Sequence, residues 1–284
     1  MFTVFCLLLA SAAAHAEGKH FLWRVSKGTD VMYLAGSVHA LRPSDYPLPE
    51  VMEKAFHDSS RLVEEIDLTN FDAEGMQLGM YQLAAYPDGQ SLKTSVPPDL
   101  YAKVANQAKE LGMDMGVLDR LHPWFVSTLL QSAALVKSGY AAESGVDAHF
   151  ATEARAEHKP VIGLEQAQFQ MGLLARLSDS SQQTMLLQSV GQGENSDLQM
   201  RTMVDAWQTG DSELLGKIEE MDFSHTPDIR QAVLVTRNAT WMPKLETMLA
   251  SGTQYFVVVG ALHLVGPDGL LARFEKDGYK VEQL

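Results

Sequence analysis

"YFVVVGALHL", residues 255–264, is the stretch whose reading decides the fold. Its first five residues are apolar and include three consecutive valines, with no polar residue among them. A strand that is apolar on both faces belongs in a parallel sheet covered by helices. Gly260 closes the run and His263 follows three residues later. Ligands of open α/β sheets bind beyond the carboxyl ends of such strands, so this imidazole is placed where function is expected. Residues 33–41, "YLAGSVHAL", repeat the arrangement, with Gly36 at the end of an apolar run and His39 three residues on. A glycine at either point permits a tight turn or a close approach that a Cβ would block.

One G-x-x-H carries little information, because most histidines at strand ends are hydrogen-bonded core or loop residues. Two copies in matching apolar contexts point to two halves of one site. Neutral imidazole is a good ligand for divalent transition metals, and two of them with one carboxylate leave positions open for water and substrate. The carboxylate comes from "RLVEEIDL", residues 61–68. Strand alternation sets Val63, Glu65 and Asp67 on one face, and Leu62, Glu64 and Ile66 on the other. Acidic groups within an apolar strand are costly to bury unless they are paired or metal-bound. Glu65 is the favoured ligand or general base, with Asp67 as a supporting or alternative ligand.

Outward from these three segments, "FLWRV" and "VMYLAG" form a hairpin about the polar turn "SKGTD" with Gly28. A helix is predicted from Pro49 to His57, and another from Asp72. Between about residues 87 and 235 the periodicity becomes helical. Pro97-Pro98 suits a helix start, and Gly112 and Gly139 suit helix ends. "GVDAHFATEARAEHKPVIGLE" reads as a helix, a turn at Lys159-Pro160 and a short strand; "GQGENSD" (191–197) reads as a flexible loop. The run from Pro227 to Gly252 is predicted as a long helix that Pro243 interrupts or kinks. A helix over Leu270–Lys276 and a last strand "YKVEQL" complete the chain. The expected fold class is α/β: a mixed, largely parallel sheet from the N- and C-terminal regions, flanking a mainly helical centre.

Composition bounds the function. The chain has 284 residues, 46% hydrophobic, with a formal net charge of −14. That charge argues against nucleic acid, whose affinity rests on basic residues neutralising phosphates, and no body segment offers the apolar length of a membrane span. Residues 1–16, "MFTVFCLLLASAAAHA", read as a secretory signal peptide ending in a small-x-small cleavage site. Residues 17–284 then form a single domain, secreted or periplasmic. It lacks cysteine, since Cys6 leaves with the signal. The H-E-x-x-H zinc helix, the G-x-S-x-G elbow and phosphate-binding glycine loops are absent. His57, His149 and His158 read as solvated, His122 as a helix start or core contact, and His20 and His225 as loop residues.

Together, "GSVH", "GALH", "LVEEIDL", "GVDAHFATEA", "KPVIGLE", "TRNATWMPKLE" and the ending from "FVVVGALHLVGPDGLL" to "GYKVEQL" resemble the TraB/GumN family, which is related to the Tiki metalloproteases. The resemblance covers residues from about Phe21 to Leu284. It implies a Tiki/TraB-like fold and a metal-dependent hydrolase site with His39 and His263 as ligands and Glu65 as third ligand or base. It also implies that Arg237 and Asn238 lie beside the site to bind substrate or a reaction oxyanion, and that Glu165 supports the ligands. Tiki proteins use manganese or cobalt. Bacterial members are linked with exopolysaccharide clusters or the shutdown of peptide pheromones, so the expected partner is a peptide or a polysaccharide-related substrate. The alternatives on the same residues are a non-catalytic peptide- or sugar-binding protein and a metal-independent, erythromycin-esterase-like hydrolase. Exchange of either histidine for alanine is expected to abolish turnover with the fold intact.

Overall fold

The hairpin comes first. β1 (Leu22–Lys27) and β2 (Asp30–Ser37) pair antiparallel with Lys27 opposite Asp30. That register leaves a two-residue loop, and Gly28 takes the positive φ (63°) such a tight turn demands. The computed structural model describes residues 18–69, 73–190 and 193–284, so the signal peptide expected over residues 1–16 and the helix start expected at Asp72 lie outside the described residues.

β3 (Arg61–Glu64), β4 (Val161–Gly163), β5 (Tyr255–Gly260) and β6 (Lys280–Gln283) complete a six-stranded sheet of order β4-β3-β5-β2-β1-β6. The pairs β4–β3, β3–β5 and β5–β2 are parallel, while β1 pairs antiparallel with both β2 and β6. The sheet is mixed and largely parallel, as its apolar strands require. All six residues of β5 are buried at its centre. Ser37 stands opposite Gly260, and Glu64 opposite Val258, so β2, β3 and β5 end side by side.

Helices make up the rest. α1 (Glu50–Asp58) joins β2 to β3. The centre holds α2 (Ala73–Ala84), the single turn α3 (Leu92–Ser95), α4 (Pro98–Glu110), the single turn α5 (Met115–Leu118), α6 (Pro123–Lys137) and α7 (Val146–Ala156). After β4 come α8 (Ala167–Ala175), α9 (Asp179–Ser189), α10 (Gly193–Gln208), α11 (Ser212–Phe223), the single turn α12 (Pro227–Arg230) and α13 (Thr236–Leu249), with α14 (Leu270–Lys276) between the last two strands. Two apolar clusters result. One surrounds the sheet and includes Phe56, Phe150, Phe256 and Trp241; the other lies among the central helices and includes Leu100, Val104, Trp124 and Leu186.

Four expectations need correction. β3 stops at Glu64 rather than running through Leu68. Asp67 accepts hydrogen bonds from the backbone N–H (2.9 Å) and hydroxyl (2.5 Å) of Thr69, and a turn closed by a side chain two residues back competes with extended structure. The expected loop at 191–197 is helical from Gly193, the start of α10. The helix over Pro227–Leu249 changes character before Pro243: Gln231–Val235 form a π-turn, in which Thr236 N–H reaches back to Gln231, and Pro243 lies within α13. Finally, His149 is half-buried against Glu53 at 2.9 Å rather than solvated.

Candidate functional site

The site lies where the parallel strands end. The ladder between β3 and β4 continues past both strands, with Leu164 N–H on Glu64 O and Glu165 N–H on Glu65 O. It sets the two glutamates side by side. β2 delivers His39 two residues after Ser37, and β5 delivers His263 through a 3-10 turn, Ala261–His263. His39 Nε2 lies 3.9 Å and His263 Nε2 3.8 Å from the same oxygen, Glu65 Oε1. The structure therefore brings His39, His263, Glu65, Glu165, Arg237 and Asn238 together. Asp67 Oδ1 accepts from the backbone N–H and hydroxyl of Thr69.

The two glycines serve different ends. A Cβ on Gly36 would run into the ring of Phe21, which is fully buried. A Cβ on Gly260 would lie 2.9 Å from His39 Nε2, 3.3 Å from Glu65 Oε1 and 3.6 Å from His263 Cδ2. It would fill the space on which the three side chains converge. Gly36→Ala is accordingly expected to cost about 1–3 kcal/mol by overpacking. Gly260→Ala should cost less than about 1 kcal/mol, since solvent-facing side chains relax cheaply and His39 is 60% exposed. Denaturant titration of the two variants checks this, and equal losses would refute the division of roles.

Each histidine is held by its far nitrogen. His39 Nδ1 donates to Asp147 Oδ2 at 3.2 Å, which leaves Nε2 toward Glu65. Asp147, in the first turn of α7, is itself fixed by Ser37, whose hydroxyl donates to Oδ1 at 2.6 Å and accepts from the Asp147 N–H at 3.3 Å. For His263 the tautomer follows from its neighbours. Arginine only donates, so Nε2 accepts from Arg237 Nη1 at 3.0 Å, and Nδ1 donates to Asn238 Oδ1 at 2.7 Å. Asp147 and Ser37 escaped sequence reading. "GVDAHF" and "GSVH" contained them, yet nothing local tied one to the other across 110 residues.

Arg237 is the hub. Nε donates to Glu165 Oε1 (2.9 Å), Nη2 to Glu165 Oε1 (2.5 Å) and to Glu65 Oε2, and Nη1 to Val233 O (3.0 Å) and His263 Nε2. A guanidinium has five N–H groups, and all five are engaged. The Asn238 side-chain amide donates to His263 O (3.1 Å) and Asp268 O (3.0 Å) while its carbonyl accepts from His263. Neither has a donor left for a reaction oxyanion in this arrangement; both position His263. Trp241, one turn along α13, donates to Glu165 Oε2 (3.0 Å), and its ring lies 4.4 Å from that of His263.

Electrostatics follow from this wiring. Desolvation opposes charge on His39, but its bond to Asp147 and the fields of Asp147 and Glu65 prevail and raise it to about 9. Burial pushes His263 down to about 3, helped by Arg237 and His39 and opposed by Glu65. Burial would raise Glu65; His263, Arg237, His39 and the Gly260 N–H outweigh it and hold the carboxyl well below its usual range. Glu64 points elsewhere. It is buried, Oε1 meets no partner among the described residues, and desolvation raises it to about 8 against the Leu68 N–H.

The donor set fits a divalent transition metal in kind. Two Nε2 atoms, each with its Nδ1 tied to an outer oxygen, and one carboxylate oxygen surround a Cβ-free glycine; outer partners of this type orient metal-binding imidazoles. Among the described residues, no three His, Cys, Asp or Glu side chains already stand at metal-holding distances. Arg237 competes with a cation for His263 Nε2.

Comparison with known proteins bears on what such a site belongs to. The model of the TraB/PrgY/gumN family matches residues 21–283. The uncharacterized protein YbaP of Escherichia coli (strain K12) is 25% identical over 261 residues, covering 90% of this chain and 94% of YbaP, and YbaP of Shigella flexneri matches to the same extent. No solved structure matches the chain. Among the described residues, no helix is long and apolar enough to cross a membrane.

Proposed function

The chain belongs to the TraB/PrgY/gumN family, and we propose that it is a secreted or periplasmic hydrolase of amide or peptide bonds, with a divalent cation, manganese or else cobalt, held by His39, His263 and Glu65. One observation carries the reading: two histidines, each held through Nδ1, turn Nε2 toward one oxygen of an ionised glutamate, around Gly260. The carboxylates of Asp147 and Glu65 set a negative field at His39, which Arg237 opposes in part.

When bound, such a cation supplies Lewis acidity to a carbonyl oxygen and makes water more acidic. The chain's own groups prepare the place. Asp147, fixed by Ser37, holds His39 through a proton on Nδ1 and so orients the ring, and Asn238 does the same for His263. Arg237 keeps Glu65 ionised and immobile. A general base works best with a pKa near the working pH. Glu65 is held far below it, which favours ligand over base between the two roles its position allows.

A second reading has its own observation. Because Arg237 occupies both Glu65 Oε2 and His263 Nε2, the same residues suit a hydrolase without metal. There, His39 would be an imidazolium between Asp147 and Glu65, able to give its proton to a leaving amine. Titration with manganese, cobalt and zinc, joined to cleavage of a peptide library with and without chelator, decides between them. Near-stoichiometric binding and chelator-sensitive cleavage are expected. Cleavage that survives chelation establishes the metal-free hydrolase, and retention of peptide or sugar without cleavage establishes a binding protein.

A further inference from the structure

Polar partners reach Glu65 from several elements, and most are already committed. The Gly260 N–H donates to Oε1 at 2.8 Å, and Arg237 spends all five donors on protein atoms. The exception is Gln170, in the first turn of α8. Its Nε2 donates to Glu65 Oε2 at 2.9 Å. A primary amide carries a second N–H and a carbonyl with two lone pairs. Among the described residues, neither the second N–H nor Oε1 of Gln170 meets a partner, and the residue is only half-buried. The width of one carboxylate separates this contact from the oxygen that His39 and His263 face.

We propose that Gln170 is a substrate-binding residue that recognises the amide being cut. Its Oε1 accepts from the scissile N–H and its second N–H donates to the carbonyl of the same residue, the one that follows the cut, which in an extended peptide lies on the same side, while its first N–H stays on Glu65. A peptide answers both halves of this pair. An ester offers the carbonyl but no N–H, so it leaves Gln170 Oε1 without its donor. The other polar side chains wired to the histidines do not provide this. Asn238 has both amide hydrogens on backbone carbonyls, and Asp147 only accepts. Glu65 thus anchors the reading group on one oxygen and faces the two imidazoles with the other.

This inference rests on the hydrolase reading, and the test separates the two. A peptide cleaved by the wild type, chosen from a library in the presence of manganese, is compared with its depsipeptide analogue, in which the scissile N–H is replaced by oxygen. Both are assayed with wild type and Gln170→Leu, with Gln170→Met in reserve should the first variant fail to fold. For the peptide, kcat/KM is expected to fall about 30–300-fold, with KM rising. For the ester, it should change by less than about fivefold, because a hydrogen-bonding site discriminates through the polar groups it leaves unpaired. Equal falls on both substrates, or none on either, overturn the assignment of Gln170 while leaving the hydrolase standing. A wild type that cleaves neither substrate overturns the hydrolase reading, and this inference with it.

Discussion

Arg237→Met is expected to destabilise the protein by about 3–5 kcal/mol, because it removes the cation from a buried ion cluster and leaves the anions behind. The Glu65 and Glu165 side chains are 12% and 6% exposed, and the same guanidinium joins them. Methionine keeps much of the volume, so the loss reports charge and hydrogen bonding rather than a cavity. For a chain of this size each kcal/mol lowers Tm by roughly 2–4 °C, which puts the expected fall on the order of 10 °C. The penalty also carries a pH signature. With Arg237 present, Glu65 is depressed, and its contribution holds above the ordinary carboxyl pKa and fades as pH falls through the lower folded value. Without the cation, His263, His39 and the Gly260 N–H still lower Glu65 but desolvation is opposed less, so its folded pKa rises toward the ordinary value and the variant gains by protonation at a higher pH than the wild type. The gap between wild type and variant should therefore be widest near pH 7 and narrow toward pH 4. Denaturant titrations at the two pH values measure it. A loss below about 1 kcal/mol at pH 7 would mean the cluster is held by something other than Arg237.

That a helix arginine should dominate the site's stability was not legible as such. What could be read locally was read correctly: the hairpin about Gly28, the buried strand at Tyr255–Gly260, and the two histidines beyond strand ends. Apolar runs and glycine punctuation encode those features within about ten residues. Membership of the family was also carried by short motifs. The unread part is long-range. Ser37 meets Asp147 across 110 positions, and Gln170 meets Glu65 across 105, contacts that exist only because parallel crossovers fold distant ends onto one sheet edge. A carboxylate in the first turn of a helix looks like ordinary complement to the helix dipole, and nothing in "GVDAHF" marks Asp147 as the partner of His39. The π-turn at Gln231–Val235 was invisible for another reason: Pro243 is a conspicuous breaker, whereas a π-turn has no obligatory residue. Such turns often occur at functional sites, and here one immediately precedes Arg237 and Asn238. In this arrangement every side-chain donor of that pair is already engaged by protein atoms, a count that sequence cannot make.

His39→Ala and His263→Ala should part company in stability while agreeing in function. Both remove a donor facing Glu65, so both are expected to lose manganese binding and turnover. The sequence suggested that both would also keep the fold, and the structure supports that for His39 alone. His39 is 60% exposed; its loss takes one hydrogen bond from Asp147, which keeps Ser37, and should cost less than about 1 kcal/mol. His263 is buried against Trp241, accepts from Arg237 and donates to Asn238. Its removal strands a guanidinium N–H and an amide oxygen in the interior, at about 1–3 kcal/mol for each buried group left unpaired, and opens a cavity beneath the Trp241 ring. A loss of about 2–4 kcal/mol is expected, with Tm down by roughly 4–16 °C. Measuring melting and metal uptake on both variants separates the roles. His39→Ala reports on the chemistry alone, so manganese bound by wild type and by His39→Ala with equal affinity would remove His39 from the metal site. His263→Ala reports on chemistry and architecture together, so its inactivity proves a ligand role only if His263→Gln, which can still accept from Arg237 and donate to Asn238, recovers the stability but not the metal.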